Sequence, residues 1–283
     1  MAKKTDDSPN AYDAIIAEVF TSRQKRGAHR IPFSREDLTA AAKKVGVKAP
    51  KNLGDIIYTY RFRRVFPAAI SQVAPEGRMW IVTGMGDALY EFRLITKPNL
   101  APDMGWAVSK IHDATPEIVR RFTALNDEQA VLARIRYNRL VDLFCRCVAY
   151  SLQNHLRTKL AEIGQIEIDE LYVGANRQGE HFIIPVQVKK ERDQLGVSQL
   201  LQDLAYCRAR HPEMRPRAIG AQMFRWQSEG VSYDRIVMIE FACEDRSDDL
   251  VISKVAERHF VLLPAGGITH ADFDAAASRP EDE

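Results

Sequence analysis

The chain has 283 residues, 46% hydrophobic and 28% charged, which suits one large or two modest globular domains. No run approaches the ~20 apolar residues of a membrane-spanning helix, so no membrane partner is expected. Net charge is only +2, yet residues 1–110 hold 18 Lys and Arg against 11 Asp and Glu, while the remainder holds 22 against 27; a basic half suited to a polyanion precedes a mildly acidic one.

Residues 1–10 form a polar tail without the apolar core of a signal peptide, so a cytoplasmic protein is expected. A helix is predicted over 11–22, with Ile15, Ile16, Val19 and Phe20 as its apolar stripe. A basic link over 23–30 leads to Ser34, which has the chemistry of an N-cap, with Asp37 three residues on. A second helix over 35–45 ends at Gly46, and Asn52 can cap a third over 53–61. Two strands, 79–83 and 89–94, flank a Gly84–Asp87 turn.

Helices followed by a β-hairpin over residues 11–96 resemble a winged helix-turn-helix domain in architecture. The resemblance implies that 53–61 is a recognition helix and the hairpin turn a wing. Lys51, Tyr58, Tyr60, Arg61, Arg63 and Arg64 would then supply phosphate contacts and stacking. A small α+β domain with a solvated arginine cluster is the plainer alternative.

Residues 97–114, with Pro98, Pro102 and Gly105, read as a linker whose end, 106–111, is a short strand or domain edge. Thr115 caps a short helix with Pro116 at its first position. Apolar residues from Val131 to Leu160 recur at helical spacing and predict one long helix or two over 127–163, closed by Gly164. On such a helix Cys145 and Cys147 point apart. With Cys207 and Cys243 they read as ordinary thiols rather than a zinc set. Gln153, Asn154, His155 and Arg157 sit just before the next segment, either supporting a site or facing water, with a structural role favoured for His155.

That next segment carries the chemistry. Two alternating runs, 164–174 and 182–190, flank an Asn176- and Gly179-bearing turn, so a β-hairpin is predicted. Strand alternation places Glu167 with Asp169 on the first arm and Gln187 with Lys189 on the second. A carboxylate and a side-chain carbonyl are hard oxygen ligands, and an ammonium beside them can offset charge or orient water.

Asp169 followed by Gln187-Val188-Lys189 resembles the PD-(D/E)xK nuclease superfamily, most closely the branch with Gln in place of the second acid, as in Mrr-type modification-dependent restriction enzymes. Gln202 and Tyr206 match a Gln-x-x-x-Tyr element of some such nucleases. The resemblance spans roughly 142–242. It departs from the pattern in three places: Ile168 stands where Pro is usual, Gln187 removes one negative charge, and no Glu lies near Leu152–Leu156.

The resemblance implies catalytic Asp169, Gln187 and Lys189; Asp169, Gln187 and Glu167 as ligands of Mg²⁺ or Mn²⁺; and Gln153, His155, Gln202 and Tyr206 as supporting residues.

Beyond Tyr206 lies an arginine-rich loop, then strands over 218–224, 235–242 and 258–263, with 251–256 helix or strand. Residues 115–270 therefore form an α/β domain with a mixed central sheet flanked by helices; the resemblance implies a restriction-endonuclease-like core. Residues 271–283 read as an acidic disordered tail. The expected function is metal-dependent endonucleolytic cleavage of double-stranded DNA, in restriction or defence, with two copies for a double-strand break. The alternatives are a non-cleaving DNA-binding regulator or accessory subunit and, lower, an RNA-directed nuclease.

Overall fold

The computed structural model describes residues 11–122, 128–161, 163–191, 193, 195–228, 230–246, 249–264 and 267–277. The first unit comprises α1 (Ala11–Arg23), β1 (Arg30–Ser34), α2 (Arg35–Lys44), α3 (Gly54–Phe62), α4 (Ala68–Ser71), β2 (Arg78–Gly84) and β3 (Leu89–Thr96). Its strands form an antiparallel sheet in the order β1-β3-β2. Ser34 and Asp37 close a reciprocal capping box on α2. The core is aliphatic around an aromatic centre, where Phe20 meets Trp80 and Phe92 edge-on, at 5.0 and 5.1 Å between ring centroids.

The second unit holds β4 (Val108–His112), α5 (Glu117–Phe122), α6 (Glu128–Tyr137), α7 (Leu140–Cys145), β5 (Val148–Leu160), β6 (Gly164–Ala175) and β7 (His181–Lys189). It continues through α8 (Val197–Arg210), β8 (Arg215–Pro216), β9 (Ala218–Ser228), β10 (Val231–Arg246), β11 (Asp249–Leu263) and α9 (His270–Ala277). An eight-stranded sheet runs β4-β11-β10-β9-β7-β6-β5, with β8 beside β7. It is mixed: β7–β9, β7–β8 and β11–β4 are parallel, and the other pairs are antiparallel. Side chains of α6 and α7, such as Leu132, Ile135 and Phe144, pack with Val186, Val188 and Ile236 of the sheet. Tyr206 and Cys207 of α8 pack with Ile166, Ile168 and Ile183. The unit is thus an α/β layer structure with helices on a mixed central sheet.

Several expectations are corrected. The predicted helix over 127–163 is two short helices and a strand. Its spacing of four at Val148, Leu152, Leu156 and Leu160 fits a strand as well as a helix, because four is also a multiple of the strand period. Arg139 and Arg146, both with φ +53°, end the helices in left-handed conformations without any glycine to announce them. The turn at Arg146 also brings the Cys145 and Cys147 thiols into a hydrogen bond, where they were expected to point apart. The end of the 97–114 linker, expected as a short strand or domain edge, is the strand β4, which pairs with β11. Within the tail expected to be disordered, α9 is helical, and its Asp272 pairs with Lys110 of β4 at 2.7 Å.

The two units are packed together. Ile81 and Ile95 of the first share a buried cluster with Leu200 and Leu204 of α8 and Val237 and Ile239 of β10. Arg93 donates to Asp245, and Asp249 accepts from Thr96 N at 3.1 Å and Thr96 Oγ1 at 2.7 Å, with Arg78 alongside. The Arg93 hydrogen bond holds the Asp245 carboxyl below its usual range. At Asp249 burial works the other way, but the Thr96 hydrogen bonds and Arg78 outweigh it and lower that carboxyl too. Depressed folded values mean that both groups stabilise the docking above the unfolded value of ~4, and that this is lost as pH falls through the folded values. A double variant, D245N with D249N, is therefore expected to melt below wild type at pH 7. The two midpoints should converge below pH ~4, as followed by differential scanning calorimetry.

Candidate active site

The β6–β7 ladder runs from Ala175↔His181 to Glu170↔Val186 and stops there. Beyond that point β7 stays paired with β9, at Gln187↔Gly220, Val188↔Ala221 and Lys189↔Gln222, while β6 stays paired with β5, at Ile168↔Leu156 and Glu167↔Arg157. The sheet forks. Backbone groups in a fork need other partners, and side chains supply them. Val188 N–H donates to Asp169 Oδ2 at 2.7 Å, and Gln187 Nε2 donates across the gap to the Glu167 carbonyl at 2.9 Å.

The predicted catalytic residues converge at this fork. Asp169 is 9% exposed and Gln187 wholly buried. Lys189, on the same strand as Gln187, places Nζ 3.9 Å from Glu128 Oε1 at the start of α6. Gln187 Nε2 also donates to Asp203 Oδ1 of α8 at 3.2 Å, while its Oε1 is buried with no hydrogen-bond partner among the described residues. His155 of β5 lies between Asn154, paired with Glu170, and Leu156, paired with Ile168, which sets it across from Asp169. Its φ of +49° is a left-handed conformation that a side chain such as His adopts only at a cost. Its Nε2 lies 2.5 Å from the Gln129 amide nitrogen.

Charge follows from this crowding. Burial raises the Asp169 carboxyl above its usual value; the Val188 hydrogen bond, Lys189 and His155 pull it back, and Glu128 pushes it up. Burial raises Asp203 well above the usual carboxylate range, Gln187 and Lys189 oppose the rise, and Asp169 adds to it. Two carboxyl groups and one ammonium therefore share a poorly solvated fork.

Other predicted residues stand apart. The carboxylate of Glu167 turns to Arg157 of β5, at 2.7 and 2.9 Å, and does not join Asp169, because Glu167 projects to the outer pairing with β5. Gln153 is exposed beside a β5 irregularity. Gln202 Nε2 donates to the Gln165 carbonyl at 2.9 Å, pinning α8 to β6. Tyr206 is a core residue of the α8 layer.

In the first unit Lys51 and Arg63 are exposed, and Arg63 stacks on Tyr58 at 4.8 Å. Arg64 lies 3.6 Å from Asp13, and Tyr60 is buried with its hydroxyl on Asp13. Arg61 is corrected from a nucleic-acid contact to an inter-unit tie: it donates to the Ile163 carbonyl in the β5–β6 turn at 3.2 Å, and burial pulls its guanidinium down to about 10.

Glu128, Gln129 and Asp203 are site residues that the sequence reading did not single out. An acid in a first helical turn reads as a favourable end charge, so Glu128 carried no distinct signal. Asp203 did carry one: it interrupts the apolar stripe of α8 between Leu200 and Leu204. Among the described residues, no group of three or more His, Cys, Asp or Glu is arranged to hold a metal ion. No family model matches the chain, no curated protein matches its sequence, and no solved structure matches it.

Proposed function

We propose that the chain is a divalent-cation-dependent deoxyribonuclease whose first unit grips DNA and whose forked sheet cuts it. The observation carrying this reading is the Gln187 carbonyl oxygen, buried and without a partner among the described residues, in the fork that also holds Asp169 and Lys189. An orphaned buried acceptor calls for a ligand, and a carboxylate with an amide oxygen is a donor set for Mg²⁺ or Mn²⁺, which keep several waters and need few protein groups. Asp169 and Gln187 would hold the ion. When bound, it supplies phosphate-charge neutralisation and a more acidic water. Lys189, steadied by Glu128, places an ammonium where charge develops on the phosphate, and His155 stands across the opening.

The order α1-β1-α2-α3-α4-β2-β3 with a β1-β3-β2 sheet supports a winged-helix reading of the first unit. On that reading α3 and the β2–β3 turn face DNA through Lys51, Tyr58, Arg63 and Arg64. Arg157 and Lys159 of β5 continue the basic surface toward the fork, Lys159 standing 3.8 Å from Asp87 in the β2–β3 turn. A two-copy assembly for double-strand breaks belongs to the same proposal.

The second reading, a DNA-binding regulator that no longer cuts, is favoured by the absence of a three-carboxylate cage among the described residues and by the neutral Gln187. Plasmid incubated with Mg²⁺ or Mn²⁺ decides between them. Cleavage that falls about 100-fold in K189A, with gel retardation retained, supports the enzyme. Retardation without cleavage under either metal, on modified as well as unmodified DNA, supports the regulator.

A further inference from the structure

We propose that Asp203 is a positioning residue that locks the Gln187 amide so that its oxygen, not its nitrogen, is presented to the cation; this rests on the nuclease reading above. A glutamine amide can turn end for end with little change in shape, and a ligand that spends half its time offering N–H is a poor one. Here both amide hydrogens are committed, one to the Glu167 carbonyl at 2.9 Å and one to Asp203 Oδ1 at 3.2 Å. The turned amide would set its oxygen against those two acceptors, so only one orientation is hydrogen-bonded. The Glu167 carbonyl alone would anchor a single hydrogen. Asp203 is 1% exposed, and its neighbour Gln202 fastens α8 to β6 at the Gln165 carbonyl, so the carboxyl is held in place behind the amide. Removing a partner behind a ligand typically costs about 10- to 100-fold in metal affinity. In this chain the arrangement compensates for the negative charge that Gln187 lacks relative to a second acid.

The test is Mn²⁺ binding to the full chain, followed by electron paramagnetic resonance without DNA. D203L should weaken binding by about tenfold or more, whereas D203N, whose amide oxygen accepts the same hydrogen, should stay within about twofold of wild type. Equal affinities for wild type and D203L, with D169A binding nothing, overturn the role of Asp203 and leave the nuclease reading standing. D203N as weak as D203L overturns it too, since charge rather than a fixed acceptor would then matter. No Mn²⁺ bound by wild type removes the nuclease reading and this role together. Should D203L fail to fold, nitrogen-15 spectra of metal-free wild type still decide. Slow solvent exchange of both Gln187 side-chain hydrogens supports the lock, and exchange as fast as that of surface glutamines overturns it.

Discussion

D169N is expected to slow metal-dependent DNA cleavage by about 10³-fold and at the same time to make the metal-free protein more stable. The two effects have one origin. Asp169 Oδ2 already accepts the Val188 N–H across the fork, and an asparagine oxygen can do the same, so the local backbone should hold. The second carboxylate oxygen becomes an N–H₂ group, which cannot ligate a cation. Burial is the main reason this carboxyl is raised above its usual value. A raised folded value means that the native state binds the proton more tightly than the unfolded chain does. Stability conferred by the protonated form is therefore full below the ordinary value of ~4 and declines as pH rises through the folded value. Asparagine does not ionise, so D169N escapes that decline. Melting curves in the presence of a chelator should show the variant at or near wild type in acid and above it at pH 7–8, the gap widening with pH. The chelator matters because a bound cation would favour the ionised carboxylate. A variant that cuts normally, or that is less stable than wild type throughout, would remove Asp169 from the site.

Part of this site was legible in the chain because strand alternation is a strong local rule. Asp169, Gln187 and Lys189 could be placed on two arms of a hairpin from spacing alone, and the turn between them is built on Asn176 and Gly179, whose φ is +78°. What alternation could not reveal is that the hairpin stops pairing at Glu170. A fork depends on which outer strands β6 and β7 each follow, which is a long-range matter of topology. The same limit hid Glu128, which reaches Lys189 across 61 positions of chain, and it misplaced Glu167, whose carboxylate goes to Arg157 of β5 once 148–160 is a strand.

The docking of the two units was also hidden. Arg61 reads as a nucleic-acid contact until the β5–β6 turn supplies its partner, and Arg93 carries no signal until β10 supplies Asp245. In the first unit the residue order was more informative, because Ser34, Gly46 and the apolar stripe of α1 act over a few residues each. The short strand β1 was missed, since Arg30–Ser34 gains its meaning only by pairing with β3.

I95A is the variant expected to cost the most stability for the smallest change in shape, and it tests whether the units behave as one body. Ile95 is fully buried on β3 and belongs to the cluster shared with Leu200 and Leu204 of α8 and Val237 and Ile239 of β10. Truncating a buried isoleucine costs about 2–5 kcal/mol through lost transfer energy and the cavity left behind. For a chain of this size that is a fall of roughly 5–10 °C in the melting midpoint. I16A removes a comparable side chain from the first unit's own core, away from the shared cluster. If the units fold independently, calorimetry will resolve two transitions, and I16A will move only one of them. With a shared core the chain should melt in one transition that both variants lower. The distinction bears on function, because α8 also carries Asp203 behind Gln187. A rigid joint fixes the distance between any DNA held on α3 and the fork, and so should give a defined offset between the bound and cut positions. I95A is then expected to broaden the distribution of cut positions on an end-labelled duplex before it abolishes cutting. A single sharp cut site in I95A, together with two calorimetric transitions in wild type, would show that the shared cluster does not couple the two units.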